Sequence, residues 1–454
     1  MPETVVEQKR SQQRFEQVQK ALNSGMFVHV RQMLMDMPAC DTALLLESTP
    51  HKSRQIIWQL VDSDDQGEIL EELSEDVQKS ILKQMQAHQL AAAAEGMDTD
   101  DLTDVLRSLP DSIYQKVLAT MDAQDRHRVE AAMAYDEDTA GSIMNTDTVT
   151  LRPDVNLDVV LRYLRLKGEL PEATDMLYVV NKDDKLLGGV PLSTLITTNP
   201  SMTVAQIMDR TIEAIPADLE DTEVAQQFER HDWLSAPVVD GDGKLLGRIT
   251  IDDVVDIIRE DAEHSMMSLA GLDDEEDTFA PVIQSTYKRS VWLGINLLTA
   301  LAAVSVSSLF EPILAQMAIL AILNSIVPSM GGIAGNQTLT LIIRGMALGH
   351  IGDRNKRWLI GKEFAIGVLN GLIWALLLSV VVAWWQQDLK LGMVIAFAML
   401  ANMTAAGLAG VLIPLTLRRM NIDPALAGGV VLTTITDVVG IFAFLGTATL
   451  VYAA

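Results

Sequence analysis

The chain has 454 residues, 49% of them apolar, with 34 basic against 61 acidic side chains and a formal charge of -27. At about 100–200 residues per domain this length fits about three domains. The charge argues against a nucleic-acid binder, because a polyanion repels such a surface and no Lys/Arg-rich run supplies a basic patch. It is also unevenly placed: residues 291–454 hold eight basic and six acidic side chains, a net +2, whereas residues 1–290 hold 26 and 55, a net -29.

The first 30 residues are polar, with Glu3, Glu7, Lys9, Arg10 and Arg14 and no apolar core of a signal peptide, so the N-terminus is expected in the cytoplasm. Cys40 is the only cysteine, which leaves no intrachain disulfide and no thiolate cluster for zinc or iron-sulfur. Residues 40–135 carry a degenerate repeat. Leu45–Pro50, Ile69–Ser74 and Val105–Pro110 each lead, about twelve positions on, to an apolar pair: Ile57-Trp58, Ile81-Leu82 and Val117-Leu118. A short helix ending before Pro or Ser, then a second amphipathic helix, would stack as a small superhelix; an irregular helical bundle is the alternative.

A second repeat fills residues 140–262. Ile143-Met144 recurs as Ile207-Met208, and Lys185-Leu-Leu-Gly188 recurs as Lys244-Leu-Leu-Gly247, each behind a β-rich run, Leu177–Val180 and Ala236–Val239. Asn181–Lys185 and Asp240–Lys244 read as polar turns between strands. Two β-α-β-β-α modules result, a pattern that resembles a tandem pair of CBS domains, which pair into a disc and often carry an adenine nucleotide. The second copy has Thr250 and Asp253, able to bond a ribose, where the first has Pro191 and Thr194. Thr250 and Asp253 are therefore candidate contacts for ATP, with a purely structural role as the alternative.

Uncharged stretches over Ser290–Phe310, Pro312–Ile343, Phe364–Gln387 and Leu391–Leu417, and Pro424–Ala454 interrupted only by Asp437, each reach the roughly 20 residues that span a bilayer core. Five transmembrane helices are expected. Lys288, Arg289, the five basic residues of 344–362, Arg418 and Arg419 flank one side, against Lys390 on the other. Basic loops favour the cytoplasm, which puts the N-terminus inside and the C-terminus outside.

Asp437 is the one ionisable residue in the fifth stretch. A carboxylate at mid-bilayer costs about 2.5–3.5 kcal/mol on insertion scales, so it marks an ion route unless an interhelical hydrogen bond satisfies it. In the second stretch Asn324, Pro328, Gly331, Gly332, Gly335, Asn336, Gln337 and Thr340 offer oxygen ligands and irregular backbone, which is tolerated at membrane depth only inside protein or beside water. Gly332, Asn336, Gln337, Thr340, Thr433, Thr434 and Asp423 are expected to line the path. With no His, Cys or basic residue in any stretch, the donors are hard oxygens suited to magnesium, calcium or manganese. One carboxylate per chain is a thin site, so two copies facing each other are expected.

Pro328–Arg344, Asp423-Pro-Ala-Leu426, Thr433–Asp437 and the linker Tyr135–Met144 resemble the signatures of the MgtE family of magnesium channels, and the domain order matches over essentially the whole chain. The resemblance implies a multidomain fold: an all-α superhelical domain over 1–135, CBS domains over 136–200 and 201–262, a connecting (plug) helix and linker over 263–290, and a five-helix transmembrane domain over 291–454. It implies a homodimeric inner-membrane protein, not an enzyme, that admits Mg2+ through a pore with Asp437 at the ion site and Asp423 near the cytoplasmic mouth. It further implies that intracellular Mg2+ closes the pore by bridging Asp100 and Asp104 on the helical domain to Asp232, Asp253, Asp256 and Asp261. The chain departs from the family on the connecting helix, where His264 and Ser265 replace acids and the run Asp273–Asp277 is displaced, so closure is expected to weaken. A carrier of Co2+ or Mn2+ is the competing reading. An intramembrane enzyme would need a motif such as His-Glu-x-x-His or Gly-x-Ser-x-Gly, and the spans contain neither.

Overall fold

The computed structural model describes residues 3–93, 97, 99–107, 109, 111–121, 123–168, 170, 171, 173–272, 277–352 and 354–452. Its contacts divide it into two units, residues 1–262 with 275–281 and residues 263–274 with 282–454.

Among the described residues the first unit begins with ten helices, the first the longest: α1 (Glu3–Asn23), α2 (Phe27–Met35), α3 (Ala39–Glu47), α4 (His51–Trp58), α5 (Gln66–Glu71), α6 (Glu75–Leu82), α7 (Ala87–Ala93), α8 (Thr99–Arg107), α9 (Asp111–Thr120) and α10 (Ala123–Ala132). The expected repeat is the set of pairs α3/α4, α5/α6 and α8/α9. Pro50 and Ser74 take extended backbone between the members of the first two pairs, which ends one helix and starts the next. The repeated apolar positions all point inward: Leu46, Ile57, Leu70, Ile81, Leu106 and Val117 are each at most 3% exposed and share one core.

The same core holds a buried cation. Arg54, on α4, is 1% exposed; its Nε donates to the Leu46 carbonyl at 2.8 Å and its Nη1 pairs with Asp277 at 2.8 Å. The Asp277 amide in turn donates to Asp76 of α6 at 3.1 Å. Of the expected acidic run only Asp277 falls within the described residues, and its partner is this guanidinium. Breaking a buried ion pair from one side strands the other charge and costs about 3–5 kcal/mol. Arg54→Ala should therefore lower the unfolding temperature and speed amide exchange at Asp277–Ala280; unchanged exchange there would show that the pair does not anchor the segment.

Two matching modules follow. The first contains β1 (Thr150–Leu151), α11 (Leu157–Lys167), β2 (Met176–Val180), β3 (Leu186–Pro191) and α12 (Leu192–Thr197). The second contains α13 (Val204–Ile207), β4 (Ile215–Pro216), α14 (Asp221–His231), β5 (Ser235–Val239), β6 (Leu245–Thr250) and α15 (Ile251–Leu269). Each sheet has a parallel pair, Thr150↔Tyr178 and Ile215↔Val238, then an antiparallel one, Tyr178↔Gly189 and Val238↔Gly247. Even the hairpin turns repeat. Asn181 Oδ1 accepts from the amides of Asp183 and Lys185 at 2.8 and 2.9 Å, and Asp240 Oδ1 accepts from those of Asp242 and Lys244 at 2.9 Å each. The left-handed fourth residue of the turn is Asp184 in one copy and Gly243 in the other.

The second unit holds α16 (Val282–Ser308), α17 (Glu311–Gln316), α18 (Ala318–Leu323), α19 (Ile326–Ala347), α20 (Lys356–Gln386), α21 (Leu389–Arg419) and α22 (Pro424–Tyr452). Among the described residues five helical segments are long and apolar enough to cross a membrane, the second of them Ala318–Ala347. The second apolar stretch is not one helix as its composition suggests. It breaks at Met317 and again at Asn324-Ser325, and Pro328 sits in the first turn of α19, where its missing N–H removes no helical bond. Helix α20 starts two turns before its apolar stretch, which draws Glu363 into the bundle at 3% exposed.

Candidate ion path and acidic recess

Glycines bring α19 and α22 into contact. A Cβ on Gly335 would lie 2.9 Å from Leu432, one on Gly428 would lie 3.1 Å from Leu339, and one on Gly440 would lie 3.0 Å from Pro328. Those pairs fix an antiparallel register in which Asp437 is level with Gly331. Asn336 then stands about 8 Å further along the axis at 1.5 Å per residue. The expected lining residues are thus set at different depths along the helices.

On α19, Val327, Pro328, Gly331, Gly335, Thr338 and Ile342 are buried, at spacings of three and four. Asn336, Gln337 and Thr340 occupy the opposite, exposed face and make no hydrogen bond among the described residues. On α22, Thr433 and Thr434 donate to the carbonyls of Gly429 and Val430 at 2.9 and 2.7 Å, which leaves their oxygens as acceptors. Asp437, half-buried, has no hydrogen-bond or ion-pair partner among the described residues. The interhelical bond that would have made it a structural residue is not formed.

Asp423 has a local job. Its two oxygens accept from the amides of Ala425 and Leu426 at 2.9 and 3.0 Å, capping α22 ahead of Pro424, and His264 Nε2 lies 3.5 Å from Oδ2. Two polar residues in the bundle escaped the sequence reading. Glu363 Oε2 accepts from Thr338 Oγ1 at 3.1 Å, and Asn402, fully buried on α21, donates to the Val327 carbonyl at 2.7 Å. Glu363 was hidden because it precedes the apolar stretch, and Asn402 because an uncharged amide does not interrupt one.

In the first unit, α5, α6, α8, the 137–138 linker, α14 and α15 surround a recess of about 480 Å³. Ten acids line it, Glu71, Glu75, Asp101, Asp104, Glu137, Asp138, Asp221, Asp253, Asp256 and Glu260, against Lys79, Arg107 and Arg259. Of the expected regulatory residues, Asp104, Asp253 and Asp256 are brought together here. Asp261 adds its field to Asp221 beside the recess. Asp232 is not part of it: it terminates α14 in a left-handed conformation, at the opposite end of that helix from Asp221. The backbone of Asp100 lies on α8, and its side chain is outside the described residues. Among the described residues no three His, Cys, Asp or Glu side chains converge closely enough to hold a metal ion directly. Thr250 and Asp253 bond one another, with the hydroxyl 2.8 Å and the amide 2.9 Å from Asp253 Oδ2, a capping arrangement at the start of α15.

Crowding shows in the protonation equilibria. Burial, then the neighbouring carboxylates of Glu260, Glu75 and Asp253, push Asp104 up to about 7 against the pull of Arg107. The Asp104 side chain is nonetheless exposed to water along much of its surface, which screens its neighbours and tempers the shift. Burial and the charges of Asp138, Asp261 and Glu220 push Asp221 up to about 6.

A bundle of apolar helices with an oxygen-lined face, joined to a helical domain and a CBS pair, defines a membrane cation transporter. The sequence signatures agree: residues 37–138 match the MgtE intracellular N domain, residues 140–200 and 204–260 match CBS domains, and residues 324–447 match MgtE, described as a divalent cation transporter. The magnesium transporter MgtE of Bacillus subtilis is 30% identical over 94% of this chain and 95% of its own, and that of Thermus thermophilus is 33% identical over 72% and 73%. The cytosolic domain of the Mg2+ channel MgtE, solved with ATP, aligns with 53% of this chain and 98% of its own at 31% identity and a TM-score of 0.49. The chain belongs to the MgtE family of magnesium transporters.

An acid held above its unfolded value of 3.8 disfavours the folded state once the pH passes that value, increasingly so up to about 7. Asp104→Asn should therefore raise the thermal stability of the metal-free protein at pH 8, with the gain shrinking as the pH falls through 7 toward 4. A gain independent of pH would show that Asp104 carries no such charge conflict.

Proposed function

We propose that the protein is a Mg2+ channel of the inner membrane that mediates influx, with the N-terminus and the acidic unit in the cytoplasm and the C-terminus outside. The observation that carries this reading is the uncompensated carboxylate of Asp437 within a membrane span. Such a group is expensive unless water or an ion serves it. Magnesium gives up its water reluctantly, so a hydrated ion moving along Asp437, Thr433, Thr434, Asn336, Gln337 and Thr340 suits hard oxygen donors set at different depths. Gly332 keeps that face of α19 slim, and Asp423 sits at the cytoplasmic end as the cap of α22.

The exposed amides of α19 cannot face lipid without loss of their hydrogen bonds, which supports a homodimer in which two copies turn these faces toward a shared path. The division into helical domain, two CBS domains, connecting segment and membrane domain serves gating. In our reading Mg2+ enters the recess of Asp104, Asp253 and Asp256, with Asp100 and Asp261 at its margin, relieves their mutual repulsion and closes the channel. The spacing of these acids suits an ion held through its water shell. Asp232 is assigned no part in it. The Thr250–Asp253 pair acts first as a helix cap; heat released on calorimetric titration with ATP would add a nucleotide contact there.

In proteoliposomes, Asp437→Ala should abolish Mg2+ uptake, and uptake at the parent rate would overturn the pore assignment. Parallel Co2+ and Mn2+ fluxes test the competing cargo, which gains if either ion outruns Mg2+. Removal of residues 1–134 should flatten the inhibition by internal Mg2+; an unchanged response would remove the recess from gating.

A further inference from the structure

Two buried polar groups on neighbouring helices grip the helix that carries the exposed amides. Glu363 on α20 is 3% exposed, and its Oε2 takes a hydrogen bond from Thr338 Oγ1 at 3.1 Å. Among the described residues its Oε1 makes no hydrogen bond, although Lys362 Nζ lies 3.2 Å away. Asn402 on α21 is 0% exposed and donates to the Val327 carbonyl at 2.7 Å, with its own Oδ1 unpartnered among the described residues. Burying a carboxylate and an amide among apolar helices is costly, and neither is returned in full by hydrogen bonds, so hydrophobic stability does not account for them.

Their placement does. Thr338 and Val327 are eleven positions apart on α19, about 16 Å along the axis, and both belong to its buried face. Between them the packing leaves no tolerance for rotation. A Cβ on Gly331 would lie 2.1 Å from the Asn402 amide, and one on Gly410 would lie 2.8 Å from both the Gly335 carbonyl and Thr338 Cβ. Glu363 is held in turn by glycine contacts, since a Cβ on Gly407 would lie 2.9 Å from its carbonyl oxygen. Each α19 residue is turned about 100° from the next, so rotation by one position would swing Asn336 and Thr340 off the face they share.

We propose that Glu363 and Asn402 are positioning residues that clamp α19 at two levels and so set the direction in which Asn336, Gln337 and Thr340 present their oxygens to the ion. Glu363 acts as a hydrogen-bond acceptor for Thr338, not as an ion ligand. The inference rests on the ion path proposed above, and the experiment separates the two.

Mg2+ and Ca2+ uptake into proteoliposomes is measured for Thr338→Val, Thr338→Ser, Glu363→Gln, Glu363→Leu and Asn402→Leu, with Asn336→Leu beside them. Thr338→Val, Glu363→Leu and Asn402→Leu should raise the Mg2+ KM and lower discrimination against Ca2+ by about 3- to 10-fold, the equivalent of one hydrogen bond. Thr338→Ser and Glu363→Gln keep the donor and the acceptor and should restore both quantities to within about twofold of the parent, a rescue that packing volume alone does not produce. Should the leucine variants not fold, the near-isosteric Thr338 pair and Glu363→Gln still decide. Glu363→Gln as impaired as Glu363→Leu would overturn the proposal in favour of a role for the charge. Thr338→Val with parental KM and selectivity would overturn it outright. If Asn336→Leu transports like the parent, the path itself is misplaced; if Asn336→Leu fails while Thr338→Val is unaffected, only the clamp is wrong.

Discussion

Polar groups inside a membrane must find a partner, and that requirement explains most of what is unusual about this chain. In the second unit the apolar stretches could pack as plain helices, yet the second is broken twice and α19 carries amides on one face and glycines on the other. The glycine face permits close approach of α21 and α22, so that buried Thr338 and Asn402 reach partners on neighbouring elements. The opposite face is left with donors and acceptors that find no partner among the described residues. Asp437 stands in the same position on α22. These oxygens are what the proposed ion path rests on.

The first unit meets the opposite problem, too much charge of one sign in water. Among the described residues its recess gathers ten acids around three basic side chains, and burial together with neighbouring carboxylates pushes Asp104 and Asp221 upward. Elsewhere the unit settles its charges by pairing, as Arg54 does with Asp277. In the recess the three cations pair with Glu75, Glu137 and Asp256, and the acids still outnumber them, an excess that a divalent cation would offset.

Much of this was legible in the sequence. The Leu-Leu and Ile-Leu repeats translate into helix pairs, and the paired CBS modules reproduce each other down to the Asn181 and Asp240 turns, because local turn chemistry and apolar runs are written residue by residue. The number of apolar spans followed from hydropathy. What escaped were features set by neighbours distant in sequence. Glu363 is buried because α20 extends beyond its apolar stretch and meets Thr338, and the break at Asn324-Ser325 depends on packing that composition does not record. Asp232 looked like its acidic companions until the left-handed end of α14 carried it away from the recess. Thr250 and Asp253, expected as nucleotide contacts, also bond one another at the start of α15, a pairing that depends on the helix beginning there.

The account turns on water reaching the polar face of α19 and α22. Cys40 is the only native thiol, so a Cys40→Ser background permits single cysteines at Asn336, Thr340 and Thr433, with Leu376 on the exposed apolar side of α20 as the control. A charged, membrane-impermeant methanethiosulfonate should modify the first three, more slowly when Mg2+ is present, and should leave Leu376→Cys untouched. Reaction at Leu376 equal to that at Asn336, or no protection by Mg2+ at any of the three, would contradict an ion path along this face.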